Sequence, residues 1–173
     1  MPSDSLSTNS PSNNKKTTVV GVGDPLLGDR GIGIRIAETL ADHNLPPHVQ
    51  VVDLQAVDER SAKDALIPLF ASSDKVILID TVDTPGKPGT VYRITPTDPQ
   101  NSSWAKKLTS ASTSGIFTAW EEALKSGASP SLTIIAVQPE VVGPSIGLSK
   151  KAASAVPKVV QAVMAEVASE LSL

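Results

Sequence analysis

The chain has 173 residues, 40% of them hydrophobic, with no cysteine and a formal net charge of −3 at pH 7. That is enough for one domain with a full core, and it excludes disulfides, thiolate metal sites and cysteine nucleophiles. The slightly acidic balance leaves no basic footprint for nucleic acid, and no apolar run approaches the ~18 residues needed to span a membrane.

The opening residues are rich in Ser, Asn and Pro and lack an apolar stretch. Residues 1–15 read as a disordered tail rather than a signal peptide, and residues 16–173 as a single domain, with the cytoplasm as the default location. Thr17 to Gly23 carries a β-branched run, the composition of a strand buried on both faces. Glycines and Pro25 then form a tight loop. From Gly31 to about Asp42 the apolar residues Ile32, Ile36 and Leu40, with Ile34 and Ala37 beside them, follow helical spacing. A strand, a polar loop and a helix in this order place Asp24, Asp29 and Arg30 at the carboxyl end of a central strand, where open α/β sheets build their sites.

His48 to Gln55 forms a second strand, and Ser61 can cap a helix running through Ala65, Leu66 and Leu69. Lys75 to Thr81 is a strongly apolar strand with Asp80 at its carboxyl end. A Pro/Gly loop follows from Asp83 to Thr90, then a strand from Val91 to Thr95. Ser114 to Lys125 reads as a helix closed by Gly127, and Leu132 to Val137 as a fifth strand. Ser149 caps a long final helix with an apolar stripe of Val156, Val159, Val160, Val163 and Val167. Strands alternating with helices predict a three-layer α/β/α sandwich on a mostly parallel, about five-stranded twisted sheet.

Asp29 and Asp80 follow different strands whose ends converge on one face, so a paired-carboxylate site is expected there. The bland alternative is that Asp29 caps the first helix and Asp80 satisfies backbone N–H groups of its loop. His43 and His48 both flank the turn before the second strand, at the opposite edge of the sheet, which leaves no geometry for a Ser-His-Asp triad. Gly21, Gly23 and Gly28 resemble a dinucleotide fingerprint only loosely, because Leu26 stands where its third glycine belongs.

The run Gly21-Val22-Gly23-Asp24-Pro25-Leu26-Leu27-Gly28-Asp29-Arg30-Gly31-Ile32-Gly33 resembles the opening motif of the hydrogenase maturation proteases, G-x-G-N-x-L-x-x-D-[DE]-G-x-G. Asp80-Thr81-Val82-Asp83 with Pro88-Gly89-Thr90 is similar to the family's aspartate-ended strand and P-G-T loop. Val137-Gln138-Pro139-Glu140 with Gly147-Leu148-Ser149 is similar to its closing segment. The resemblance implies an endopeptidase that trims the C-terminus of a [NiFe]-hydrogenase large-subunit precursor and recognises nickel carried by that precursor, with no cofactor of its own. It further implies catalytic roles for Asp29 and Asp80 and substrate contacts from Asp24, Arg30, Asp83 and Ser112.

Of the three nickel-contacting positions that the resemblance implies, Asp80 keeps one, while Arg30 and Ser112 stand at the other two, leaving Asp29 or Asp24 as substitute ligands. Arginine offers no lone pair and repels a cation. Arg30 is instead expected to pair with Asp80 or Asp29. Two alternatives stay open: a non-catalytic relative that binds a hydrogenase subunit or maturation partner, and a small-molecule or nucleotide binder using the same crevice.

Overall fold

The computed structural model describes residues 15–55, 58–100, 103–108 and 113–169. The expected tail, apart from Lys15, and Ser112 lie outside them. The elements run β1 (Thr17–Val22), a 3-10 turn (Asp29–Gly31), α1 (Ile32–Ala41), β2 (Val49–Leu54), α2 (Glu59–Ala71), β3 (Lys75–Thr81), β4 (Val91–Ile94), α3 (Thr113–Lys125), β5 (Ser131–Val137) and α4 (Lys150–Ala168). The five strands form one sheet in the order β2-β1-β3-β5-β4, parallel except for β4, which pairs antiparallel with β5. The expected α/β/α sandwich is therefore the observed fold.

Alternation along the buried strands sorts the core into two layers. Val19, Ile77, Ile79 and Ile135 pack against Ile32, Ile36 and Leu40 of α1 and Val159, Val163 and Val167 of α4. On the other face Val20, Val22, Leu78 and Ile134 meet Leu66 and Phe70 of α2 and Ile116 and Trp120 of α3. The valine stripe of α4 is core as expected, with Val156 and Val160 at its margin. Its far end is pinned by an ion cluster at the amino end of β3, in which Lys75 and Glu166 are buried and Arg93 is exposed. There Lys75 Nζ donates to Glu166 Oε2 at 2.8 Å, and Arg93 Nε donates to Oε1 of the same carboxylate.

Helix α2 departs from the expected start. Asp58, not Ser61, is its N-cap: the Asp58 carboxylate accepts the Ser61 backbone N–H at 2.7 Å. An aspartate three residues before a serine competes for the same cap, and its charge wins at a helix N-terminus. The buried face consequently runs through Ala62, Leu66 and Phe70 and leaves Ala65 exposed.

Helix α1 sits unusually close to the sheet. A Cβ added at Gly33 would lie 2.1 Å from the Val22 carbonyl oxygen and 2.6 Å from that of Ile79. One at Gly21 would lie 2.0 Å from the Gly33 carbonyl oxygen. These glycines thus have a packing role: they let the helix backbone rest on the junction of β1 and β3. Gly33→Ala should lower unfolding free energy by at least ~2 kcal/mol in urea denaturation, since neither carbonyl can yield without lifting α1. A change within ~0.5 kcal/mol, the range of an unremarkable surface substitution, would contradict that packing.

Candidate functional site

The chain leaves β1 through α1 to β2 on one side, yet β3 pairs with β1 on the other. The connections therefore diverge at the carboxyl ends of β1 and β3, the kind of switch point where open α/β sheets hold ligands. The 3-10 turn Asp29–Gly31 follows β1 there, and Asp80 closes β3 there.

Asp29 is fully buried. Its Oδ1 accepts the Ser149 backbone N–H at 2.7 Å. Oδ2 accepts the N–H groups of Glu140 at 2.8 Å and Val141 at 2.9 Å and the Ser149 hydroxyl at 2.8 Å. Burial pushes the carboxyl up, but the bonds from Val141, Ser149 and Glu140 outweigh it and hold Asp29 below the ordinary carboxylate value. Asp29 caps no helix of its own: Gly31 is the N-cap residue of α1 and makes no side-chain cap. Ser149 does cap α4, accepting the Ala152 N–H at 3.2 Å while donating to Asp29.

The backbone completes the joint. Gly28 N–H donates to Ser145 O at 2.9 Å, Ser145 N–H to Leu26 O at 3.0 Å, and Asp29 N–H to Val141 O at 2.9 Å. Gly28 supplies the positive φ of 62° that this turn needs, with the Val141 carbonyl against it. Of the five exposed large hydrophobic residues among the described ones, four stand on these joined loops: Leu26, Val141, Val142 and Ile146. Leu26 and Ile146 are 66% and 92% exposed. Beside them a groove of about 450 Å³ runs between Pro25, Leu26, Ile34, Ile146 and Leu148.

Asp80 is also fully buried, and its Oδ1 accepts the Thr81 backbone N–H at 2.7 Å. The loop after β3 is fixed from β5: the Gln138 side-chain oxygen accepts the Thr84 N–H at 2.9 Å and the Thr84 hydroxyl at 2.6 Å. Asp83 is exposed, and its N–H donates to Lys107 O at 2.6 Å. Asp24 is exposed, with Oδ1 accepting the Leu26 N–H at 2.9 Å, so it shapes its own turn.

Arg30 is half-buried and does not make the expected ion pair with Asp29 or Asp80. The reason on the Asp29 side is plain, since both oxygens of that carboxylate face the 140–149 loop. His43 and His48 lie before β2 at the opposite end of the sheet, with His43 Nδ1 against Thr39 O at 2.8 Å. Among the described residues no three His, Cys, Asp or Glu side chains are grouped to hold a metal ion. Nor is any described helix long and apolar enough to cross a membrane. The residues that sequence reasoning underused are Ser149, seen only as a helix cap, and the exposed apolar side chains of the two loops. Their signal was the pair of motif segments 120 positions apart that Asp29 and Ser149 join.

The family model described as hydrogenase maturation protease matches residues 34–166. The hydrogenase expression/formation protein HupD of Rhodobacter capsulatus is 30% identical over 97 residues, covering 54% of this chain and 43% of that protein. A Methanocaldococcus jannaschii relative is 35% identical over 81 residues, 46% of this chain and 50% of that protein. The chain thus spans about half the length of the curated relatives it matches. Among solved structures, the hydrogenase maturating endopeptidase HybD from Escherichia coli superposes with a TM-score of 0.78 at 26% identity, covering 89% of this chain and 93% of that one.

Replacing Asp29 with Asn turns two acceptor oxygens into one and aims an amide N–H₂ at backbone donors. Asp29→Asn should lower unfolding free energy by about 2–4 kcal/mol in urea denaturation at neutral pH. Because the folded state lowers this pKa, the wild-type advantage is complete above the ordinary value of 3.8 and fades as pH falls through the folded one. An advantage that grows on acidification would contradict the assignment.

Proposed function

Given that the chain belongs to the hydrogenase maturation protease family, we propose that it is an endopeptidase removing the C-terminal extension of a [NiFe]-hydrogenase large-subunit precursor. The observation that carries the reading is the placement of a fully buried carboxylate, Asp80, at the carboxyl end of β3 beside the β1/β3 switch point. Asp80 takes a proton from water as the water adds to the scissile carbonyl, and the C–N bond then breaks with the proton passed to the departing amine. The enzyme is thus a carboxylate-dependent, aspartic-type protease acting in the cytoplasm.

Asp29 acts differently from Asp80 in this reading. Its lone pairs are committed to four donors, so it is a positioning residue that holds the 140–149 loop against the 3-10 turn. Asp24, similarly, orders its turn. The apolar side chains at Leu26, Val141, Val142 and Ile146 give the precursor a surface to lie on, since clustered exposed apolar residues mark protein contact sites.

The described residues do not fit a resident metal. Asp29's oxygens are filled, Arg30 is cationic, and no third donor is grouped with Asp80. Nickel in this scheme belongs to the precursor and enters with it as substrate.

The test is cleavage of nickel-loaded precursor, read by mass spectrometry of the new C-terminus. Wild type should trim the precursor, and Asp80→Asn should be slower by ~10²-fold or more, the scale of losing a general base. Asp80→Asn cutting at the wild-type rate would remove Asp80 from the chemistry. A wild-type protein that binds the precursor without trimming it would favour the binding-only relative instead.

A further inference from the structure

Arg30, which follows the carboxyl end of β1, pairs with no carboxylate among the described residues. Its position is rigid. The Arg30 carbonyl accepts the Asp24 N–H at 3.1 Å, and a Cβ on Gly23 would lie 1.9 Å from that same oxygen, so the turn is pressed onto the end of β1. The side chain, half-buried, has its Nε shielded from solvent with no hydrogen-bond partner among the described residues. A dry, unpaired N–H on a cationic group destabilises a protein unless a partner arrives to take it. Arginine elsewhere in the chain behaves differently. Arg93 sets its Nε on Glu166, and exposed Arg35 and Arg60 lie beside carboxylates of their own helices.

From this geometry we propose that Arg30 is a carboxylate receptor, taking a carboxylate of the polypeptide substrate on Nε and a terminal nitrogen together. A guanidinium presents Nε and one terminal N–H as a planar fork that matches the two oxygens of a carboxylate, and a charge-assisted pair of this kind is strongest where water is thin. The buried Nε is then a donor held ready for an anion. The same charge repels a divalent cation, so this part of the crevice selects the anionic part of a substrate. That the ligand is a peptide rests on the proteolytic reading above. The carboxylate itself has two possible sources, a Glu or Asp side chain and a chain terminus.

The test follows the Arg30 Nε–H signal by NMR in the folded full-length chain, where shielding from water slows its exchange. The probes are N-acetylglycine, for a terminal carboxylate, and N-acetylglutamate α-methylamide, for a side-chain one. N-acetylglycine methylamide and chloride at equal ionic strength are the controls. One or both carboxylates should move the signal downfield with saturation, and the tighter of the two names the source. In Arg30→Lys, followed at the Gly31 amide, affinity should fall about tenfold or more, because the charge remains and the fork is lost. Arg30→Gln should abolish binding.

The proposal is overturned by no saturable response to either carboxylate, by an equal response to chloride or the neutral amide, or by undiminished binding in Arg30→Lys. Its failure stands apart from that of the proteolytic reading. Wild type that trims precursor while Arg30 ignores carboxylates loses only the receptor. Wild type that binds carboxylates and never trims loses only the protease.

Discussion

A single carboxylate, that of Asp29, carries the architecture of the crevice. Removing a charged carboxylate from water costs several kcal/mol unless its lone pairs are filled. Here four donors fill them, three from backbone and one from the Ser149 hydroxyl. The consequence reaches beyond one side chain. The 140–149 loop has no strand or helix of its own and exposes most of its apolar residues. It keeps a shape because Asp29 gathers its two ends, and the same serine that closes the cluster starts α4. A buried charge is a poor stabiliser in itself but a demanding one, since few arrangements satisfy four donors at once.

The sheet supplies the rest. Placing β1 centrally, with its successors on either side, opens a crevice at the carboxyl ends of the strands. Gly21 and Gly33 then let α1 approach the β1/β3 junction closely enough for the turn before it to overhang the strand ends. On the other side, Gln138 and Thr84 anchor the loop after β3. Fixed loops on a rigid scaffold are what holding a bound chain in register requires.

Much of this was legible in residues alone. The apolar runs of β1 and β3 and the helical spacing of α1 and α4 are strong periodic signals, and these four elements form at or within a residue or two of their expected positions. Long-range partnerships were not legible. Asp29 was paired in expectation with Asp80, because both follow buried strands whose ends converge, and the family resemblance made it a second catalytic group and metal ligand. What the sequence does not display is direction: the carboxylate turns toward Ser149, 120 residues away. The Asp58 cap was missed for a related reason, since Asp58 and Ser61 both favour caps and only the backbone decides between them. Arg30 is the converse case, where expectation supplied a partner that the fold withholds.

The claim at the centre is that Asp29 holds the 140–149 loop in place. Hydrogen exchange of the Glu140, Val141 and Ser149 amides in wild type and Asp29→Asn tests it most directly, with the β3 amides as an internal reference. The account predicts that these three amides lose protection together by on the order of 10–100-fold in the variant, beyond any change in β3, because the loop opens locally before the sheet unfolds. Equal protection in both proteins, or losses shared uniformly with Ile77 and Ile79, would mean that something other than Asp29 orders the loop.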